Sequence, residues 1–322
     1  MAIGLGIIGT GKHGERYLRH VADVPALRLV AISRRDREAG AAQAQAYGCR
    51  FHAEPEALIA DAEVDVVALV VPPTLHLRLA TAVARARKAL VIEKPLAPTV
   101  AECRAIAEAV ERAGVTAMVA HTLRFNAVVR ALRAALPSVG PLHAAVLTQR
   151  FEPSSLPWLD RRAESGGGIV IHTGVHSFDL LRFLTGKAAR RVSALAGSVA
   201  TRETEDNFIA TVEMDDGVVA AVGGSRATKG RSGAIELAGR DGQLVGDHVH
   251  GFAARLVAAT RTALDVGPPA MTVPAALQDF VDALRARRAP SITLGDGAAA
   301  VALAEACYRS ITSGRPEPVE SW

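Results

Sequence analysis

Aromatic residues are scarce, at 4% of 322 residues, while hydrophobic residues make up 49%, so the core is expected to be mostly Ala, Val and Leu. Cysteine is scarce as well. Cys49, Cys103 and Cys307 are odd in number and widely spaced, which excludes a disulfide scaffold and a cysteine metal motif and suits a reducing compartment. An excess of either charge is lacking: 37 Lys and Arg stand against 33 Asp and Glu, a formal net charge of only +4. Basic residues are scattered or sit near helix ends, so no nucleic-acid groove is suggested. No apolar run is long enough to span a bilayer. The N-terminus lacks the basic region and cleavage site of a secretory leader. These absences lead to the expectation of a soluble, cytoplasmic protein with no nucleic-acid or membrane partner. A chain of 322 residues exceeds what one core usually serves, so two domains are expected.

What is present begins with a glycine-rich turn. Ile3 to Ile8 reads as a short buried strand, and Glu15 to Val21 can wind as a helix. Between them lies Gly9-Thr10-Gly11-Lys12-His13-Gly14, which fits G-x-G-x-x-G. Gly9 allows a tight turn, Gly11 leaves room for a pyrophosphate, and Gly14 lets helix pack against strand. A ligand-free strand–helix turn is the alternative. Further strands are expected at Pro25–Ile32, Val64–Val71, Ala89–Ile92 and Val115–Ala120, with helices at Leu75–Ala86 and Val100–Ala113. This alternation implies a parallel sheet covered on both faces. Beyond residue 123 the pattern changes. A helix at Ala127–Leu136 is followed by strand pairs flanking Asp215-Asp216-Gly217 and Gly239-Arg240-Asp241-Gly242. Helices near Val273–Arg288 and Gly297–Ser313 follow. The polar loop Ser225–Gly233 reads as mobile. The expected class is α/β: a doubly wound parallel Rossmann sheet in residues 1–122, and an α+β domain with a largely antiparallel sheet in 123–322.

The fourth strand runs into Glu93-Lys94-Pro95. Ligands of open parallel sheets bind beyond the carboxyl ends of the strands, which places Lys94 over the crevice; a solvated surface lysine is the alternative. With Val71-Pro72-Pro73-Thr74-Leu75-His76, Arg124-Phe125, Gly166-Gly167-Gly168 and Gly174-Val175-His176-Ser177-Phe178-Asp179, the chain resembles the Gfo/Idh/MocA oxidoreductases over nearly its whole length. The resemblance implies a second domain whose open sheet serves the substrate pocket and commonly subunit contacts, hence a homodimer or homotetramer. It also implies hydride transfer between NAD or NADP and a sugar, cyclitol or related polyol. Lys94 matches the lysine near nicotinamide and the reacting oxygen, and His176 the acid/base histidine. Pro72, Pro73 and His76 match a stretch along the adenosine and ribose, although both prolines also read as strand terminators. Arg124 and Trp158 fall near the substrate by resemblance, with an ion pair and core packing as their respective alternatives.

Two departures from the family pattern stand out. Arg87 occupies a helix-ending turn where glycine is usual, and a left-handed conformation there costs about 1–2 kcal/mol. His172 stands where the family commonly has Asp. It is expected to remain at the substrate as a neutral hydrogen-bonding residue, with His176 as the principal proton acceptor. His172 and His176 also have the spacing of a helical metal pair, with His121, Asp179 or His248 as further ligands, but no motif places a third; no metal is expected. The cofactor reading rests on Ile32-Ser33-Arg34-Arg35-Asp36-Arg37. Ser33 takes the place of the usual ribose-binding acid, and Arg34 with Arg35 or Arg37 suits a 2′-phosphate. NADP is therefore expected, with NAD possible. A catalytically silent nucleotide-binding sensor is the alternative function.

Overall fold

The computed structural model describes residues 2–322. By its internal contacts the chain divides into two units: residues up to Thr122 with Thr272–Ala298, and Leu123–Met271 with Ala299–Trp322.

The first unit contains strands β1 (Ile3–Ile8), β2 (Leu27–Ser33), β3 (Arg50–His52), β4 (Val66–Leu69), β5 (Ala89–Ile92) and β6 (Ala117–Val119). They form one parallel sheet in the order β3-β2-β1-β4-β5-β6. The central strands are buried apolar runs, as a sheet covered on both faces requires. Helices α1 (Gly14–His20), α2 (Arg37–Tyr47), α3 (Pro55–Ala60), α4 (His76–Arg85) and α5 (Val100–Ala113) connect them. The sequence reading has five strands; β3 is a sixth. Its three residues, Arg-Phe-His, lie at the sheet edge and are not fully buried, so they lack the apolar run that marks the others.

The second unit opens with α6 (Ala127–Ala135) and β7 (Leu142–Arg150). Then follow α7 (Arg162–Ser165), α8 (Val175–Thr185), β8 (Ala189–Gly197), β9 (Asn207–Met214), β10 (Val219–Ser225), β11 (Ser232–Gly239), β12 (Gly242–Asp247), β13 (Phe252–Val257) and β14 (Thr260–Ala263). With β15 (Glu317–Pro318) these strands form a nine-stranded sheet, antiparallel throughout except where β10 pairs with β7. One face is packed: Val192, Ala194, Phe208, Ala210, Val212, Val222 and Leu147 are buried. The other presents Leu195, Ile209, Val219 and Val146 to solvent. Of the loop Ser225–Gly233, read from sequence as mobile, the ends belong to β10 and β11, Arg226 N–H donates to the Asp206 carbonyl (2.8 Å) and Arg231 pairs with Glu152.

Two further helices, α9 (Thr272–Ala286) and α10 (Leu294–Ser313), complete the chain. The sequence reading put all of residues 123–322 in one domain. Instead α9 packs with α1 in the first unit, burying Val273, Leu277, Phe280 and Val281. Its apolar face is legible from periodicity, but the partner of that face is not.

Candidate functional site

In the first unit the strand order reverses beside β1, whose neighbours are β2 and β4. A crevice at such a reversal, beyond the carboxyl ends of the strands, is where doubly wound sheets bind ligands. The glycine turn follows β1 at this reversal. Gly9 has φ +97°, and a Cβ there would run into the Val70 carbonyl after β4. Its N–H donates to the Ser33 carbonyl at the end of β2 (2.8 Å). A Cβ on Gly14 would meet the Gly9 carbonyl, so α1 approaches the turn closely only because residue 14 is glycine. At Gly11 a Cβ meets nothing within 4 Å. That side of the turn is open. Thr10 is fully buried, and its Oγ1 has no hydrogen-bond partner among the described residues. Lys12 is exposed on the turn.

The turn after β2 is organised around its charges. Ser33 is buried, and Arg34 Nη1 reaches the Thr10 carbonyl at 3.3 Å. Arg35 is exposed. Asp36 caps α2, accepting the Ala39 N–H at 3.0 Å, so its carboxylate serves the helix. Arg37 is drawn to Glu54 at 2.8 Å. Of the three arginines singled out from sequence, Arg34 is the one attached to the glycine turn.

At the end of β5 lies a buried carboxylate. Glu93 Oε1 accepts the Tyr17 hydroxyl (2.6 Å) and lies 2.8 Å from His13 Nε2; Oε2 accepts the Lys94 N–H (3.0 Å). Burial alone would raise the Glu93 pKa. His13, through charge and hydrogen bond, together with the Lys94 charge and the Tyr17 hydroxyl, instead holds it well below the usual carboxylate range. Burial, followed by Glu93, pushes Tyr17 well above its ordinary value. Glu93 thus joins the glycine turn, α1 and Lys94. Lys94 itself is half-buried.

His76 opens α4. It is fully buried, with Nδ1 3.1 Å from the carbonyls of both Pro95 and Leu96, and Nε2 3.1 Å from that of Val71. Its ring nitrogens are therefore occupied by backbone carbonyls. Burial outweighs the carbonyls and lowers its pKa, so the ring stays neutral and donates on one side at a time. Pro72 precedes a short turn, Pro73–Leu75, that leads into α4; Pro73 is buried there.

In the second unit a π-turn, Val170–Gly174, leads into α8 and carries His172, with His176 in the first turn of α8. His172 is buried. Its Nε2 lies 2.9 Å from the Ser165 carbonyl, and its ring meets Trp158 edge-on at 5.4 Å. A carbonyl only accepts, so Nε2 is the donor in this contact. His176 is half-buried. Arg124 makes a buried two-point bond to Asp179, with Nε 2.9 Å from Oδ2 and Nη2 2.5 Å from Oδ1. The ion-pair alternative for Arg124 is the one present, and Asp179 is thereby engaged. Among the described residues no three His, Cys, Asp or Glu side chains are grouped to hold a metal. Glu205 and Tyr308, which meet the start of the histidine segment, went unnoticed in the sequence. Their partners lie 35 to 140 residues away, and no motif spacing joins them.

Comparison with known proteins follows the same division of the chain. Residues 3–121 match the model of an oxidoreductase family with an NAD-binding Rossmann fold, and residues 139–245 match the GFO/IDH/MocA C-terminal domain. A 1,5-anhydro-D-fructose reductase of Ensifer adhaerens is 28% identical, covering 98% of both chains. Inositol 2-dehydrogenase 2 of Saccharopolyspora erythraea is 30% identical, covering 99% of this chain and 96% of the relative. The aldose-aldose oxidoreductase of Caulobacter crescentus, solved with glycerol, superimposes with a TM-score of 0.91 at 23% identity, over 99% of this chain and 100% of that one.

Proposed function

Because this chain belongs to the Gfo/Idh/MocA oxidoreductase family, we propose that it is an NAD(P)-dependent dehydrogenase or reductase acting on a sugar, cyclitol or related polyol. The observation that carries this reading is Lys94 at the carboxyl end of β5, backed by the buried Glu93 carboxylate. The relatives named above are a reductase and a dehydrogenase, which favours an enzyme over a silent sensor.

The glycine turn fits a dinucleotide, with Gly11 open and Gly9 and Gly14 closing the backbone beneath it. Residues 9–14 would hold the pyrophosphate, and bound nicotinamide supplies the acceptor or donor of hydride. His176 takes the hydroxyl proton during oxidation and returns it to the carbonyl oxygen during reduction; a histidine suits this because its ordinary pKa lies near neutrality. Lys94 donates a hydrogen bond to the reacting oxygen and stabilises the negative charge that develops there. His172, with Nε2 held by the Ser165 carbonyl, lies four residues before His176 and lines the substrate side in this reading. NADP is the preferred cofactor in this reading: Ser33 presents no carboxylate, Asp36 is spent as a cap, and Arg34 stands at the turn.

The exposed row of Leu195, Ile209, Val219 and Val146 supports a homo-oligomer, dimer or tetramer, with this face between copies. Three widely spaced cysteines, Cys49, Cys103 and Cys307, suit the cytoplasm; no helix among the described residues is long and apolar enough to cross a membrane.

The experiment combines direct titration with NADPH and NADH and a turnover screen over sugars and inositols. NADPH is expected to bind more tightly. Lys94→Ala should lower turnover about a hundredfold while cofactor affinity changes much less. Tighter NADH binding would reverse the cofactor assignment, and near-native turnover in the variant would remove Lys94 from the chemistry.

A further inference from the structure

The histidine segment of the second unit starts at Gly168, and its first amides are held by a single residue of the loop before β9. Gly168 N–H and Val170 N–H both donate to Glu205 Oε1, at 3.0 and 3.2 Å. Ile169 N–H, between them, donates to the Glu205 backbone carbonyl at 2.8 Å. The Tyr308 hydroxyl donates to the same Oε1 at 2.7 Å and lies 3.2 Å from the Gly168 nitrogen. Three consecutive amides that a helix start leaves unsatisfied thus meet one residue. An anion suits that end of the segment. The approach depends on glycine: a Cβ on Gly168 would strike the Glu205 carbonyl, and one on Gly167 the Tyr308 hydroxyl. Glu205 is buried, and buried Arg226 lies close enough to interact with its charge. On the far side of the same triglycine turn, the Ser165 carbonyl meets the His172 ring.

We propose that Glu205 is a positioning residue, which through the amides of Gly168–Val170 and the Tyr308 hydroxyl fixes the segment that presents His172 and His176. Its kinetic consequence rests on the dehydrogenase reading; its geometric consequence does not. The arrangement separates geometry from charge. All three side-chain bonds go to Oε1, while Oε2 faces Arg162 Nη2 at 3.7 Å. Glutamine can therefore keep the three bonds through its amide oxygen and lose only the charge, whereas alanine loses both.

The test uses the full-length protein with Glu205→Gln, Glu205→Ala and Tyr308→Phe. The ring proton resonances of His172 and His176 are followed by NMR across pH. Thermal melting and NADPH titration are run in parallel, and kcat is measured on any active substrate. Glu205→Gln is expected to keep both ring signals near their native positions and kcat within about threefold. Glu205→Ala should displace both signals and lower kcat by about thirtyfold or more, with NADPH affinity changed less than about twofold. A folded Glu205→Ala protein with native ring signals would overturn the proposal. So would equal losses in the Gln and Ala variants, since the effect would then belong to charge. If Glu205→Ala does not fold, Tyr308→Phe decides: displaced ring signals support positioning, and native ones refute it. A protein without dehydrogenase activity leaves the ring signals as the deciding readout, so failure of the activity reading and failure of this inference stay separate.

Discussion

Glu93 shows how one side chain joins chemistry to stability. Its carboxylate is buried, yet it stays ionised because His13, Lys94 and Tyr17 converge on it. A carboxyl whose folded pKa lies below its unfolded value of about 4.5 favours the folded state fully above that value. As pH falls below it, the unfolded chain takes up the proton first and that contribution is lost. Stability should therefore fall on acidification from about pH 5 downward, and Glu93→Gln should flatten this part of the profile. Melting temperatures of both proteins between pH 7 and pH 3 check it (a range set around the ordinary carboxylate value); parallel curves would show that Glu93 is not the group responsible. The motif around Glu93 was legible because glycine turns and E-K-P runs are local in sequence. Its link to Tyr17 spans 76 residues and was not. The same holds for Glu205, and for His76, whose bonding to carbonyls 5 and 20 residues away is invisible to a motif that marks it only by position.

Helix ends are where the elements of the first unit differ from one another. α2 and α5 stop at Gly48 and Gly114, each at φ +63°. α4 stops in the same left-handed conformation, but at Arg87, with φ +57°. Arg87 N–H bonds the Ala84 carbonyl (2.9 Å) and Lys88 N–H that of Val83 (3.2 Å), the closing pair of a Schellman turn. The turn is kept despite the residue. Lys88 supports it by donating from Nζ to the carbonyls of Asp61 and Val64, at 2.5 and 2.6 Å. Arg87→Gly removes the left-handed penalty of about 1–2 kcal/mol and adds back some unfolded-chain entropy. A net gain of about 1 kcal/mol is expected in urea unfolding; a variant no more stable than the native protein would show the strain to be relieved already. Most helices and central strands could be read from periodicity and punctuation. β3, β7 and β8 could not: their alternating or edge positions leave residues such as Arg50, His143 and Arg191 outside a buried run.

For the whole molecule, the order of synthesis and the order of packing disagree. The first sheet is spelled out by residue 122, but the helix that covers α1 begins only at Thr272. On a ribosome making about 5–20 residues per second, that delay is on the order of ten seconds. During it Tyr17 and Leu18, buried in the finished protein, lie on a helix still missing a neighbour. The nascent first unit should then expose apolar surface, and residues 1–122 alone should not form an autonomous module. A fragment of residues 1–122 should melt without a sharp transition, and joining residues 272–298 to it by a flexible Gly/Ser linker should restore one. Circular dichroism melts of the two fragments decide the matter: a sharp, identical transition in both would mean that the late helix is dispensable. A gene carrying a premature stop between the two segments should accordingly yield not a small cofactor-binding protein but material cleared by proteolysis.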